Sequence, residues 1–562
     1  MRKFISIISV ITLVILLNAC EERFMNANVS STSLSDADIS ADFGFGTRFA
    51  SLLRNLTSGQ YAEDIGVDAY VRHVGHPTAW ESNKNSITYF MVASWNTSRW
   101  NDCYNNVMGP ARQIKVLAAT QPGLELFSAW ADLLQVFALS RTTTYYGPLI
   151  YSEYGENLEQ FEYDTEAELY NQFFEKLDEV QAVFTTFAAD AGKKGQLTRF
   201  DATYSGDLAK WLKMINSLRL RLAIRIVKAN PKLAETQGEK AMNDPVGLIL
   251  ANEENFKHSL YGSTHLIHTM SNSWNDTRMS AAMEEVLVGY KDPRAHVLFQ
   301  PADASVLPAG RDPEWPYKGI ASASYVTIKD ERTPCSRVSE NFAQPYNERL
   351  LLDAAEVNFA LAEARLRGWT GTQTNGSVQF YYEEGVKRSW EYWQSNQRVG
   401  HRMIADYSVG AYLADDTSMP LEEYVDPKGV SDNSYKSRMI DPEAYTIKWK
   451  DGINKEKQLE RIMTQKWIAA YQNANEIWND HRRTGYPKLH FNPKNDSSPQ
   501  HGTIEKNDFI KRMLFASRDI EVNPAHVAGI PAQKLGGPDL ISTPLWIHTP
   551  WVDHNNPDNS LQ

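Results

Sequence analysis

Apolar residues along 457–489 fall at Leu459, Ile462, Met463, Trp467, Ala470, Tyr471, Ala474, Ile477 and Trp478. That three-and-four spacing lays one continuous stripe on a helix, so the stretch reads as a long core helix. Arg482 and Arg483 fall in its last turn, where cations suit the negative end of the helix dipole, and Gly485 with Pro487 supplies the stop. The stretch 348–369 has the same quality. Leu350, Ala354, Val357, Leu361 and Ala364 share a face, nearby alanines leave room for a close partner helix, and Gly368 ends it. Other helical patterns come in pairs: 43–56 with 99–119, and 124–145 with 166–187. A strongly amphipathic run at 208–228 follows, and Pro231 opens the next helix from a permitted first-turn position. Pairs of this kind predict stacked helical hairpins, although no clean repeat period shows.

Between the helical runs lie long irregular stretches, 58–95, 255–344 and 407–456, rich in Gly, Pro, Asn, Ser and aromatics; the last carries Pro420, Pro427 and Pro442. They are too long for structureless connectors in a compact domain, and loops of that size usually carry function. The expected fold is mainly α, one helical body over 41–562 with these three regions as loop insertions.

The first 19 residues have a different character. Arg2 and Lys3 precede an apolar run of 14 residues at 4–17, short of the roughly 20 that span a bilayer as a helix, so they read as a signal peptide. Leu17-Asn18-Ala19-Cys20 resembles a bacterial lipobox, which makes Cys20 the expected lipidated first residue of the mature chain; an ordinary secretory cleavage site is the alternative. Two or three acyl chains would hold the protein firmly on a membrane, where one gives only marginal binding. Residues 20–40 are the expected lipidated N-terminus and tether, of which 26–40, rich in Ser, Asn, Asp and Ala, read as flexible with a reach of roughly 20 to 25 Å by random-coil scaling.

Composition narrows the functional classes. The formal charge is −12, moving to −14 once Arg2 and Lys3 are removed, and no basic run appears, which argues against nucleic acid and disfavours acidic substrates. Cys103 and Cys335 remain in the mature chain, and a disulfide and two buried free thiols are equally compatible with the sequence.

The motifs of metalloproteases, serine hydrolases, phosphate loops and dinucleotide loops are absent. The pairs His73/His76 and His265/His268 lack a third ligand for zinc and read as loop histidines. No cofactor is expected, with calcium held by loop carboxylates as an open alternative. Glu356 and Glu363 share a helix face, but Arg367 follows Glu363 in the favourable ion-pair order, which gives them a structural reading rather than that of a glycosidase pair.

Aromatics make up 11% of the chain, including 15 Trp and 26 Tyr, more than so polar a core would require. Trp80, Trp95, Trp100 and Tyr104 lie among Asn, Ser, Thr and Arg; Trp274 is followed by Asn275, Asp276 and Arg278; Trp315 and Tyr317 flank Pro316. Sugars lay their C–H faces on aromatic rings while amides, carboxylates and guanidinium groups take the hydroxyls, so these residues are the candidate ligand-binding set. The competing reading is that the rings pin long loops onto the helical body, as large aromatics commonly do.

Six stretches together carry a family resemblance. They are LAEARLRGW at 361–369, QKWIAAYQNANEIWNDHRRTGYP at 465–487, TTTYYGPLIYSEY at 142–154, KDPR at 291–294, KRMLFASRDIEVNPA at 511–525 and GGPDLISTPLW at 536–546. In order and spacing the chain resembles the SusD/RagB nutrient-binding outer-membrane lipoproteins of Bacteroidota. The resemblance implies four tetratricopeptide-like hairpins with a few short strands, the fourth hairpin being 348–369 with 379–394. It implies a SusC-like TonB-dependent transporter as partner, with this protein as its lid. Glu21 and Glu22 resemble the acidic signal that sends such lipoproteins to the exterior face. The expected activity is binding of a nutrient, an oligosaccharide in the first instance, without chemistry. A lipid-anchored glycoside hydrolase and a peptide-binding lid are the alternatives.

Overall fold

The computed structural model describes residues 41–57, 59–156, 161–260, 263–326, 328–343, 348–516, 530–557 and 561. The expected signal peptide, Cys20 and the tether lie outside the described residues. The chain divides into two units, residues 1–48 and 49–562. Of the first, only the start of helix α1 (Ala41–Asn55) is described.

Twelve helices of nine or more residues are present among the described residues. After α1 come α2 (Ala93–Cys103), α3 (Gly109–Ala119), α4 (Glu125–Tyr146), α5 (Glu166–Ala189), α6 (Leu208–Arg225), α7 (Pro231–Asn243) and α8 (Ala281–Gly289). The last four are α9 (Ala354–Leu366), α10 (Val378–Asn396), α11 (Lys455–Ala469) and α12 (Ala474–Thr484). Neighbours in sequence pack as neighbours in space: α3 on α4, α4 on α5, α5 on α6, α6 on α7, and α9 on α10, with α11 against both of the latter. Local chemistry fixes the ends. Thr165 and Glu168 form a reciprocal cap at the start of α5, Asp207 caps α6, and Asn230 with Pro231 opens α7. Gly368 and Gly485 stop α9 and α12 at φ +95° and +78°, conformations in which any Cβ would be strained.

Strands are few and short. β1 (Val74–Gly75) pairs with β3 (Arg278–Met279), β2 (Phe256–Ser259) with β4 (Glu348–Leu352), and β5 (Glu423–Tyr424) with β6 (Tyr435–Lys436), all antiparallel. Among the described residues no helix is long and apolar enough to cross a membrane.

Two expected helices are revised. The stretch 348–369 begins as strand β4, and its helix starts only at Ala354, after Asp353 accepts a hydrogen bond from the Glu356 amide at 2.9 Å. Leu350 and Ala354 fit a helical stripe, but the N-cap Asp353 marks the change of period. The stretch 457–489 is two helices, broken at residues 470–473, where Gln472 takes φ +75°. Ala470 and Tyr471 keep the three-and-four spacing across the break, so hydrophobic pattern alone carries the helix through it.

The single stripe is also too narrow a description. Residues 458–469 of α11 and all of α12 are buried, charged positions included. Arg483 meets Glu363 through two hydrogen bonds of 2.5 Å, Lys466 meets Asp480 at 2.7 Å, and Glu476 takes Arg225. Arg482 lies 3.5 Å over the Trp478 ring and donates to the Thr144 carbonyl at 2.8 Å. These arginines therefore tie helices together through buried partners, beyond complementing a helix dipole. Arg221 holds Glu356 with two bonds of 2.6 Å, so both carboxylates of that α9 face are structural. Cys103 and Cys335 are two separate buried thiols.

Candidate functional site

Pairing of β1 with β3 sets Val74 against Met279 and Gly75 against Arg278, which brings the 58–95 loop alongside the 255–344 loop. Gly75 is required there, since a Cβ would stand 2.3 Å from the Ile320 carbonyl oxygen. Three aromatic side chains, Tyr61, Trp80 and Trp95, gather at this junction, and Trp274 is tied to it through Asp276. Tyr61 stacks on Trp95 at 5.3 Å between ring centroids, Trp95 meets Trp80 edge-on at 6.3 Å, and Trp80 leans on His76 at 5.1 Å. His76 Nδ1 lies 3.1 Å from the Asp276 carbonyl oxygen, and Thr78 donates to the Asp276 carboxylate at 2.7 Å. Trp274 sits beside Asp276, with Lys329 Nζ bonded to the Trp274 carbonyl at 2.7 Å and to Asp276 Oδ1 at 2.5 Å. Tyr61 is 42% exposed and Trp274 45%, while Trp80 and Trp95 are half-buried. Large rings rarely face water to this extent without a partner.

The backbone under Trp80 is unusual. Glu81, Ser82 and Asn83 follow it with φ of 51°, 55° and 63°, three successive left-handed residues of which none is glycine. Each costs roughly 1–2 kcal/mol in that region. The turn is fixed by its surroundings: Asn85 donates to the Trp80 carbonyl at 3.2 Å and Asn83 to the Val326 carbonyl at 3.1 Å.

The sequence-derived candidates thus divide. Trp80, Trp95, Trp274 and Asp276 come together. Trp100 does not join them: it is buried beneath Tyr104, Tyr146 and Tyr163. Trp315 and Tyr317 are likewise buried, one stacked on His296 at 4.6 Å and the other bonded to His296 Nδ1 at 2.6 Å. They pack within the 255–344 region around His296, with Tyr407 of the 407–456 region 5.9 Å from the Trp315 ring. Arg278 is also corrected to a structural role. It is fully buried, and its guanidinium donates to the carbonyls of Ser271, Thr277 and Thr333 and to Asn275 Oδ1, which spends all five of its N–H donors. Burial pulls its pKa down to about 10. Asn275, left-handed at φ 57°, serves as its acceptor at 3.0 Å. Tyr61 carries no signal in the sequence that would group it with the tryptophans, since its partner Trp95 lies 34 residues on.

Of the histidine pairs, His73 is fully buried and bonded through Nε2 to the Trp467 carbonyl at 3.0 Å, and burial drives His76 down to about 4. His268 Nε2 meets Glu340 at 2.8 Å. Among the described residues no three or more His, Cys, Asp or Glu side chains are grouped to hold a metal.

A helical scaffold carrying long loops that present an aromatic face defines the class. The chain belongs to the SusD-like family, the SusD and RagB outer-membrane lipoproteins, whose model matches residues 27–548. Solved structures agree. A chitin-binding SusD homologue from Flavobacterium johnsoniae is 33% identical with a TM-score of 0.80, the match covering 92% of this chain and 99% of that one. SusD homologues from Bacteroides vulgatus and Bacteroides uniformis are 28% and 29% identical with TM-scores of 0.79 and 0.77, covering 92% and 90% of this chain and 99% of each of theirs. No curated protein sequence matches the chain.

Proposed function

We propose that this protein is a surface-exposed lipoprotein, anchored through Cys20, that binds an oligosaccharide on the Tyr61, Trp80, Trp95 and Trp274 face and passes it to a SusC-like TonB-dependent transporter. The observation that carries the reading is the grouping of two exposed rings, Tyr61 and Trp274, and two half-buried ones, Trp80 and Trp95, with Asp276, Thr78 and Lys329 at one loop junction. Rings take the C–H faces of sugar units, and the carboxylate, hydroxyl and ammonium groups take their hydroxyls. Binding without chemistry is supported by the engagement of Glu356 and Glu363 in buried arginine pairs. Chitin fragments head the ligand panel, since the Flavobacterium johnsoniae relative is a chitin-binding protein.

Calorimetry against chito-, malto- and xylo-oligosaccharides and against short peptides tests the proposal. A central aromatic anchor contributes about 2 kcal/mol, and about 1.4 kcal/mol is tenfold in Kd. Trp274→Ala is therefore expected to weaken glycan binding at least about tenfold with an unchanged melting curve. Peptide binding with no glycan binding would overturn the ligand class, and release of reducing ends would overturn binding without chemistry.

A further inference from the structure

A cleft of about 740 Å³ has Tyr325, Asp432, Lys436, Asn495 and Asn507 among its lining. The 492–496 stretch, which supplies Asn492, Pro493 and Asn495 to the lining, is bonded to the 83–88 segment that follows Trp80 in the chain: Lys494 Nζ donates to the Asn83 carbonyl, Asn492 Nδ2 to the Ile87 carbonyl at 3.0 Å, and the Asp496 amide to the Thr88 carbonyl at 2.7 Å. Tyr325 is next to Val326, whose carbonyl accepts from Asn83 at 3.1 Å.

Tyr325 is 39% exposed, yet its backbone is rigidly held. The fully buried Asn433 clasps it on both sides, accepting from the Tyr325 amide at 2.7 Å and donating to its carbonyl at 3.1 Å. Asn433 is itself held by Asp426 at 3.2 Å, and Asp426 pairs with Arg332 at 3.1 Å. An ordered backbone that delivers an aromatic ring to solvent is a stacking surface prepared in advance.

The rest of the lining suits a neutral, hydroxyl-rich chain. Of the three cations in the lining, Lys436 is paired with Glu423 and Arg438 donates to the Leu489 and His554 carbonyls, which leaves Lys506 beside the carboxylate of Asp432 and the amides of Asn492, Asn495 and Asn507. Two buried lining acceptors also lack partners. His490 donates through Nδ1 to the Phe491 carbonyl at 2.9 Å, which leaves the Nε2 lone pair unsatisfied. Asn492 spends Nδ2 on Ile87, and its Oδ1 is unpartnered. Both call for O–H or N–H donors.

We propose that this cleft is a second glycan subsite, in which Tyr325 stacks on a further sugar unit of the same chain whose other end lies on Trp80, Trp95 and Trp274. The protein then grips a polymer segment rather than a single short fragment. The inference rests on the proposed glycan-binding function and adds ligand length to it.

Calorimetry with chito-, malto- and xylo-oligosaccharides of two and six units, on the full folded protein, separates the two levels. The parent is expected to bind a six-unit chain at least about tenfold more tightly than the two-unit chain of the same series. Tyr325→Ala is expected to erase that gain and keep the affinity for two units, and Tyr325→Phe to keep both. Equal affinity for both lengths, or a length gain that survives in Tyr325→Ala, would overturn the second subsite and leave the aromatic face standing. Absence of binding across all three series would overturn the glycan reading and the subsite with it.

Discussion

Asp64 and Asp68 stand one helical turn apart, at 0% and 1% exposure, in the segment that also carries Glu63. Glu63 is satisfied, taking Arg141 at 2.8 Å and Arg349 as well. Neither oxygen of Asp64, nor Oδ1 of Asp68, has a hydrogen-bond partner. His73 Nε2 donates to the Trp467 carbonyl, so its Nδ1 presents a lone pair 3.6 Å from Asp68 Oδ1, a geometry that suits a protonated carboxyl. Burial outweighs the attraction of Arg349 and, with Glu63 adding repulsion, pushes both carboxyls far above the ordinary Asp range. The sign follows from linkage. A pKa raised in the folded state gives stability that is complete below the unfolded value near 4 and is lost as pH rises through the raised value. Melting temperature is therefore expected to fall from pH 5 to pH 8, each pH unit costing up to about 1.4 kcal/mol per group. Asp64→Asn is expected to flatten that slope and to melt above the parent at pH 8; an identical slope would show that Asp64 is ionised in the fold. The residue scale is also where sequence reading is weakest. Loops have no periodicity, so nothing in the chain separates Trp274, which faces solvent, from Trp315, which is buried. The environment that decides between them is assembled from residues distant in sequence, such as Tyr407 beside Trp315.

At the scale of elements the helices are legible because burial there repeats with a period. The hairpins of α3 to α7 and of α9 with α10 follow from stripes and caps written locally. Less legible were the interruptions, since Gln472 in its left-handed turn and β4 before Asp353 leave the apolar spacing intact. The turn Glu81–Ser82–Asn83 is a further case, because three non-glycine residues with positive φ have no sequence signature and exist only through outside contacts. Ser82 is exposed, so its substitution reports on backbone conformation alone. Ser82→Gly is expected to melt at or above the parent, and Ser82→Val to lose about 1–2 kcal/mol, since a β-branched residue is strained at φ 55°. Equal melting of the two variants would mean the turn is not left-handed in solution. Trp467 tests the core. It is fully buried, its Nε1 donates to the Val71 carbonyl at 2.7 Å, and its own carbonyl holds His73. Trp467→Ala is expected to cost about 3–5 kcal/mol and to lower melting temperature or yield sharply; parental melting would place α11 outside the core.

For the whole molecule, anchoring and binding are written in separate parts of the chain. The aromatic face is built from residues 61–95 and 274–329 and the adjoining cleft from residues between 325 and 507, whereas the expected anchor and tether occupy 20–40. No residue of the face or of the cleft falls within 20–40, so loss of the lipid is expected to leave the binding loops and their supports unchanged. Two or more acyl chains hold a protein to a bilayer far more firmly than one, and without them a chain of net charge −12 offers no basic run in its sequence to retain it at an anionic surface. Cys20→Ala is therefore expected to leave the membrane fraction and take up no labelled palmitate, while keeping the parent's melting curve and its affinity for whichever oligosaccharide the parent binds. Fractionation, labelling and calorimetry on the same preparation check the three parts together. Membrane association that persists in Cys20→Ala would remove Cys20 as the anchor, and a fall in glycan affinity with an intact melting curve would show that the N-terminal segment belongs to the binding site after all.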